Sequence, residues 1–151
     1  MKEQEPLAAE PTRIYLIGMP GSGKSTAGPL LAETLGWRFE DLDRQIEAGA
    51  GIFIPRFFEE KGEEAFRVTE TRLLHKTAAE RRLVLATGGG AVLRNIDWML
   101  EHGRVVWLDP PISELVARLA DAYKERPLLS TPSSLDLPRA VETLYRERGP
   151  F

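Results

Sequence analysis

The segment that most constrains the fold is residues 18–26, which read Gly-Met-Pro-Gly-Ser-Gly-Lys-Ser-Thr. They match the pattern G-x-x-x-x-G-K-[S/T], in which a glycine-rich turn aims backbone N–H groups at a phosphate. Residues 14–17 before the turn form a short apolar run typical of a buried strand. After the turn, Leu31 and Leu35 recur at helical spacing. The segment therefore predicts a strand, a phosphate-binding loop and a helix in succession; the alternative is an ordinary glycine-rich turn.

Each part of this loop meets one chemical need. Glycines permit the tight bend, the lysine places a positive charge on the outer phosphates, and the first hydroxyl residue after the lysine can ligate Mg²⁺. The following helix adds its positive N-terminal end. We expect phosphate groups of a ligand to be bound by Gly21, Ser22, Gly23, Lys24, Ser25 and Thr26.

Composition narrows the class of protein. With 151 residues, 42% of them hydrophobic and 28% charged, the chain suits one globular domain. A net charge of −3 predicts no nucleic-acid partner, and no apolar run is long enough to predict a membrane span. The absence of cysteine excludes disulfides and thiolate metal ligands. We expect a flexible leader over residues 1–12, one domain over residues 13–151, and a cytoplasmic location.

Apolar runs alternate with helical patterns along the chain. Strands are predicted at residues 14–17, 37–42, 83–86 and 105–108, and helices at residues 24–35, 55–61, 63–80, 96–102 and 113–123. This alternation predicts an α/β fold with a parallel sheet and helices on both faces. Residues 124–139 contain three prolines and predict a loop, which could serve as a lid.

Candidate site residues follow the predicted strands, where ligands of parallel sheets gather. Asp41 and Asp43 would lie on the same side of an extended chain, so that one could hold the water shell of Mg²⁺ and the other could accept a substrate proton. Solvated turn residues are the alternative. The glycine triplet at residues 88–90 offers bare backbone to a ligand, or is simply a flexible turn.

Arginines supply the candidate anion contacts. Arg67 and Glu70 are three residues apart on a predicted helix, so Arg67 could grip a carboxylate while Glu70 holds the guanidinium. A surface ion pair is the alternative for these two residues, and it is equally open for Arg118, Arg126 and Arg148.

Motifs in a fixed order extend this pattern along the chain. After the phosphate loop come Phe-Glu-Asp-Leu-Asp from Phe39, Gly-Glu-x-x-Phe-Arg from Gly62, Thr-Gly-Gly-Gly-Ala-Val from Thr87, Glu-Arg-Pro-Leu-Leu from Glu125 and Arg-Gly-Pro from Arg148. The series resembles the shikimate kinase family, and the resemblance covers residues 14–151. It implies a P-loop kinase fold of three layers and ATP-dependent phosphorylation of the 3-hydroxyl of shikimate, a step of aromatic amino acid biosynthesis.

The resemblance also implies roles for individual residues. Ser25 would ligate Mg²⁺ directly and Asp41 through water, while Asp43 would orient the attacking hydroxyl. Arg126 would neutralise the transferring phosphoryl group, and Arg118 would stack on adenine. Shikimate would contact Asp43, Phe58, Phe66, Arg67, Gly88, Gly89, Gly90 and Arg148.

The end of the sequence keeps other interpretations open. The family continues past its Arg-x-Pro segment with a further strand and helix, whereas this sequence stops at Phe151. We therefore expect the strand at residues 105–108 to form an edge of the sheet, with reduced stability and activity, and a monomer is expected where the family's C-terminal elements are present. The rival functions are another small-molecule P-loop kinase, acting on gluconate or a nucleoside monophosphate, and a nucleotide-binding module without catalysis.

Overall fold

A computed structural model describes residues 11–125 and 137–148 of the chain. Four strands in these residues form one parallel sheet in the order β2-β3-β1-β4. Their bounds are Arg13–Ile17 (β1), Arg38–Asp41 (β2), Leu83–Ala86 (β3) and Arg104–Trp107 (β4). The parallel sheet and all four strands are confirmed, with bounds shifted by one residue at β1, β2 and β4. Within the described residues β4 is an edge strand, as expected.

Helices connect the strands. They span Lys24–Leu35 (α1), Leu42–Ala50 (α2), Ile54–Lys76 (α3), Val92–His102 (α4), Ile112–Glu125 (α5) and Leu137–Arg148 (α6), with a 3₁₀ turn at Thr77–Ala79. None of these helices is long and apolar enough to cross a lipid bilayer.

The alternation of side chains along β1 separates two cores. Tyr15 and Ile17 point to the face covered by α2, α3 and α4, where the larger core lies. Ile14 and Leu16 point to the opposite face, where they meet Ala32 of α1. Helices therefore cover both faces of the sheet, which confirms the predicted three-layer α/β fold.

A third cluster joins the phosphate-binding loop to the C-terminal helices. Met19 is buried against Leu115 of α5 and against Leu137 and Val141 of α6. The hydroxyl of Tyr145 on α6 also lies 3.3 Å from Asp109, just after β4. Both helices consequently pack near the carboxyl ends of the strands.

Several predicted elements differ from the structure. The predicted division between helices 55–61 and 63–80 is confirmed, because α3 breaks at Gly62, where φ is 80° and ψ is 169°, but the second part ends at Lys76 instead of residue 80. Helix α2 was not predicted, and Asp43 lies in its first turn, so the prediction that Asp41 and Asp43 share one side of an extended chain is wrong. Asp41 Oδ1 accepts the N–H groups of Asp43 and Arg44, and this cap starts the helix.

The loop predicted for residues 124–139 is wrong at both ends. Helix α5 continues to Glu125, and α6 begins at Leu137 with Pro138 in its first turn, where proline is compatible with a helix. The rest of that segment, residues 126–136, and most of the predicted leader, residues 1–10, lie outside the described residues.

Candidate active site

One cavity of about 830 Å³ opens where the strands end. Its walls come from the glycine-rich loop, the end of β2, the start of α2, the segment after β3, and helix α5. The lining residues are Pro20, Gly21, Ser22, Gly23, Lys24, Ser25, Thr26, Ala27, Leu30, Asp41, Asp43, Ala86, Thr87, Gly89, Leu108 and Arg118. The cavity thus contains all six residues predicted to hold phosphates.

The glycine-rich loop is held closed by its own contacts. Lys24 Nζ donates to the carbonyl oxygens of Gly18 at 2.7 Å and of Met19 at 3.0 Å. Gly18 has φ of 150°, and a β-carbon there would lie 2.5 Å from the carbonyl oxygen of Leu108. No larger residue fits this close approach. Helix α1 begins at Lys24, so the loop ends at a helix N-terminus, which attracts anions.

A hydroxyl and a carboxylate meet beside this loop. Ser25 Oγ lies 3.4 Å from Asp41 Oδ2, while the other oxygen of Asp41 caps α2. Both are hard oxygen ligands of the kind that Mg²⁺ binds. No group of three or more His, Asp and Glu residues within residues 11–125 and 137–148 is arranged to hold a metal.

The carboxylate of Asp43 binds a proton more tightly than an ordinary aspartate does. Its pKa is raised from 3.8 to about 6, chiefly by burial and then by the negative charges of Asp41 and Glu70, against the opposing effect of Lys24. A pKa near the working pH suits a group that must accept a proton. Asp43 is therefore the best placed of the described carboxylates for a general base.

The glycine triplet is packed against charged side chains. A β-carbon at Gly88 would lie 2.7 Å from Asp43 Oδ1 and 2.9 Å from Glu70 Oε1. A β-carbon at Gly90 would lie 2.6 Å from both terminal nitrogens of Arg67. The triplet leaves room for Asp43, Glu70 and Arg67 to approach one another, and a side chain at Gly88 or Gly90 would have to displace these charged groups.

The guanidinium of Arg67 is held by one buried carboxylate and lies near one exposed carboxylate. Its Nη1 donates to Glu70 at 2.8 Å, and its Nε lies 3.6 Å from Glu63. The side chain of Arg67 is only 12% exposed and that of Glu70 is 1% exposed. A surface ion pair, the alternative for these residues, is therefore wrong. A buried guanidinium in this setting is restrained and ready to bind a second carboxylate.

Aromatic rings support the same helix. Phe66 is 4% exposed in the larger core, with Phe58 stacked on it at 4.6 Å between ring centroids. The guanidinium of Arg67 lies 5.2 Å from the Phe66 ring centroid. Phe66 therefore shapes the region by packing beneath Arg67, while Phe58 is partly buried at the edge of the core. Their predicted contact with a ligand ring stays a prediction.

Of the three other predicted arginines, only Arg118 has a side chain within the described part of the structure. Arg118 reaches the loop, where its Nη1 donates to the carbonyl of Gly21 at 3.0 Å and its Nη2 pairs with Glu114 at 3.0 Å. Arg148 is the last residue of α6. Arg126 and the side chain of Arg148 lie outside the described part of the chain.

Sequence reasoning missed two residues that shape this region. Thr87 lines the cavity, and its hydroxyl donates to the carbonyl of Leu16 at 3.1 Å, which ties the end of β3 to β1. The sequence feature that could have indicated Thr87 is its position immediately before the glycine triplet. Arg94 forms two hydrogen bonds with Glu64, and no local pattern links residues 30 positions apart.

Comparisons with known proteins agree with this geometry. A family model described as "Shikimate kinase" matches residues 20–151. The shikimate kinase of Synechococcus elongatus is 46% identical over 136 residues, which cover 89% of this chain and 71% of that protein.

Two solved structures are also similar. The shikimate kinase of Bacteroides thetaiotaomicron superposes with a TM-score of 0.83 at 32% identity, covering 93% of this chain and 80% of that one. The shikimate kinase of Acinetobacter baumannii in complex with shikimate superposes with a TM-score of 0.76 at 40% identity, covering 92% and 80%. This chain belongs to the shikimate kinase family and is an enzyme of that class.

Proposed function

We propose that the cavity at the ends of β1, β2 and β3 carries out the family's reaction, the transfer of a phosphoryl group from ATP to the 3-hydroxyl of shikimate. One observation carries this proposal. The phosphate-binding loop and the raised-pKa carboxylate of Asp43 line the same cavity, and Asp43 packs on the glycine triplet that also contacts Arg67. This arrangement supports a phosphate site next to a site for a hydroxylated acid.

The phosphate subsite consists of residues 18–26 and Arg118. Backbone N–H groups of residues 21–26 and the N-terminus of α1 would bind the phosphates, and Lys24 would exchange its loop carbonyls for phosphate oxygens. Arg118, already above Gly21, would lie against the adenine ring as a planar cation. Arg126 would complete the charge neutralisation at the transferred group.

The residues near Ser25 fit a magnesium ion. A hydroxyl and one carboxylate 3.4 Å apart leave most of the coordination sphere to phosphate oxygens and water, as Mg²⁺ prefers. Ser25 would bind the ion directly and Asp41 through water. Magnesium bound there would offset the negative charge of the phosphates.

The acceptor subsite consists of Asp43, Arg67, Glu70, Gly88 and Gly90. Arg67, restrained by Glu70, would bind the carboxylate of shikimate, and Arg148 would be its second cation. Asp43 would accept a hydrogen bond from the attacking hydroxyl and take its proton as the phosphoryl group arrives. Gly89 lines the cavity between the two subsites. Phe58 and Phe66 would support the ring of shikimate from the side of α3.

Phosphoryl transfer requires positioning and charge neutralisation more than covalent chemistry. Lys24, Arg118 and the loop amides supply positive charge on one side of the cavity, while Asp43 supplies a base on the other. The proton leaves the hydroxyl for Asp43, the hydroxyl oxygen forms a bond to the γ-phosphorus of ATP, and the bond from that phosphorus to the bridging oxygen breaks, which releases ADP. A cytoplasmic location, and a monomeric state where the family's C-terminal elements are present, complete the proposal and remain predictions.

A coupled assay of ADP release tests the function. The purified chain is supplied with ATP, Mg²⁺ and, in separate reactions, shikimate, gluconate and a nucleoside monophosphate. We expect turnover with shikimate that exceeds the others by at least about a hundredfold, because an acceptor of a different shape would leave the buried Arg67 or Asp43 without its partner. Turnover with gluconate or a nucleotide would support the rival kinases. ATP binding without turnover on any acceptor would support the non-catalytic module.

A further inference from the structure

The acceptor subsite depends on the relative placement of two helices, α3 and α4. Helix α3 carries Arg67 and Glu70, α4 follows the glycine triplet, and both helices contribute side chains to the larger core. A β-carbon at Gly90 would lie 2.6 Å from the Arg67 guanidinium, so a small shift of one helix relative to the other would change this approach. A contact between the two helices close to Arg67 and Gly90 would therefore help to fix the geometry of the subsite.

Arg94 and Glu64 form that connection. Arg94 Nη1 and Nη2 donate to the two oxygens of Glu64 at 3.1 and 2.9 Å, a bidentate arrangement that fixes orientation as well as distance. Glu64 precedes Arg67 by one turn, and Arg94 follows Gly90 by one turn. Neither residue lines the cavity.

Helix electrostatics indicate that Arg94 is placed for this contact. It lies in the first turn of α4, which contains no acidic residue, and a cation is disfavoured at a helix N-terminus. Glu64 lies in the first turn after the break at Gly62, where an anion is favoured. The Glu64 carboxylate is thus favourably placed at the N-terminus of its own helix segment, and it also neutralises the cation in the first turn of α4.

A second contact joins the same helices at the other end. His75 of α3 stacks on Trp98 of α4 with ring centroids 4.4 Å apart. The stack joins α3 and α4 away from the cavity, whereas the ion pair joins them close to Arg67. Removing the stack therefore serves as a control, because it disturbs the packing of α3 on α4 without touching the ion pair.

We propose that Arg94 and Glu64 are positioning residues for the acceptor subsite, which hold Arg67 against Gly90 and thereby set the affinity for shikimate without contacting it. The inference rests on the proposed role of Arg67. Because the pair is exposed, its expected effect is modest.

The test uses the full chain and compares Glu64→Gln, Arg94→Gln, the swapped pair Glu64→Arg/Arg94→Glu, and His75→Ala. Positioning predicts that both single variants raise the KM for shikimate about two- to fivefold, with kcat and the KM for ATP unchanged. The swapped pair should recover most of the loss. His75→Ala should lower the melting temperature while leaving the KM for shikimate unchanged.

Three results would overturn the inference. Opposite changes in Glu64→Gln and Arg94→Gln would indicate a long-range charge effect on the shikimate carboxylate. An equal rise in His75→Ala would indicate general packing, and no change in either single variant would leave an ordinary surface pair. Arg67→Ala in the same assay separates the two proposals, because an unchanged KM there contradicts the role of Arg67 itself.

Discussion

The phosphate subsite and the acceptor subsite are built in different ways. The loop of the phosphate subsite is contiguous in sequence, and its lysine is held by carbonyl oxygens of the loop itself. The acceptor subsite brings together side chains of α2 and α3 with the backbone after β3. Local chain geometry therefore produces one half of the active site, and tertiary packing produces the other.

This difference leads to distinct failures. A change in the phosphate loop should impair the chemical step and leave the acceptor subsite formed. A change in the acceptor subsite should weaken shikimate binding, and it should also alter stability because its charges are buried.

Lys24→Ala should lower kcat by a factor on the order of 10² or more, because the lysine charge is needed most as negative charge develops on the transferred phosphoryl group. Steady-state kinetics with both substrates measures this, and calorimetry should show nearly normal shikimate binding. Lys76→Ala, which removes an exposed lysine at the end of α3, is the control and should retain activity. Near-normal turnover in Lys24→Ala would remove the phosphate-loop assignment.

Asp43→Asn should separate stability from activity. Because the folded pKa of about 6 exceeds the ordinary 3.8, the folded protein binds this proton more tightly than the unfolded chain. The associated stability is present at low pH, falls between those two values, and is absent above the folded pKa. At pH 7 the asparagine variant should therefore be more stable by on the order of 2–3 kcal/mol, with turnover reduced by roughly 10²-fold.

Unfolding by urea at pH 7 and pH 4 measures this gain, which should vanish at the lower pH. The wild-type kcat/KM should also fall as the pH decreases through about 6, since Asp43 then becomes protonated. Asp97→Asn, which changes an exposed aspartate of α4, should alter neither property. A destabilised Asp43→Asn protein at pH 7 would contradict the account of this carboxylate.

Gly90→Ala should have a smaller effect, confined to the acceptor. The added methyl group would lie 2.6 Å from the Arg67 guanidinium and must displace it, so the KM for shikimate should rise roughly tenfold. Gly49→Ala is the matched control, because no atom lies within 4 Å of its β-carbon position. An unchanged KM for shikimate in Gly90→Ala would show that Arg67 does not need this position.

The same division explains what the sequence could predict. The bounds of α1 and β3 agree with the predictions, since a local motif and a continuous apolar run specify them. Helix α2 was missed because Gly49 and Gly51 weaken its pattern and Asp41 was interpreted as part of an extended pair instead of an N-cap. Helix α6 was missed because Pro138 was taken as a loop residue.

Long-range packing limited the prediction of the site. Arg67 and Glu70 at helical spacing fit an exposed pair as well as a buried one, and only the fold places them under the glycine triplet. The ion pair between Arg94 and Glu64 likewise required the relative placement of α3 and α4.

Calorimetric titration of Arg67→Ala with each ligand tests the separation of the two subsites most directly. Loss of a charged bidentate contact should weaken shikimate binding by about 2–4 kcal/mol, while the affinity for ATP should match that of wild type. Arg56→Ala, which removes an exposed arginine of α3, should bind both ligands normally. Unchanged shikimate binding in Arg67→Ala, or equal weakening of both ligands, would contradict this account.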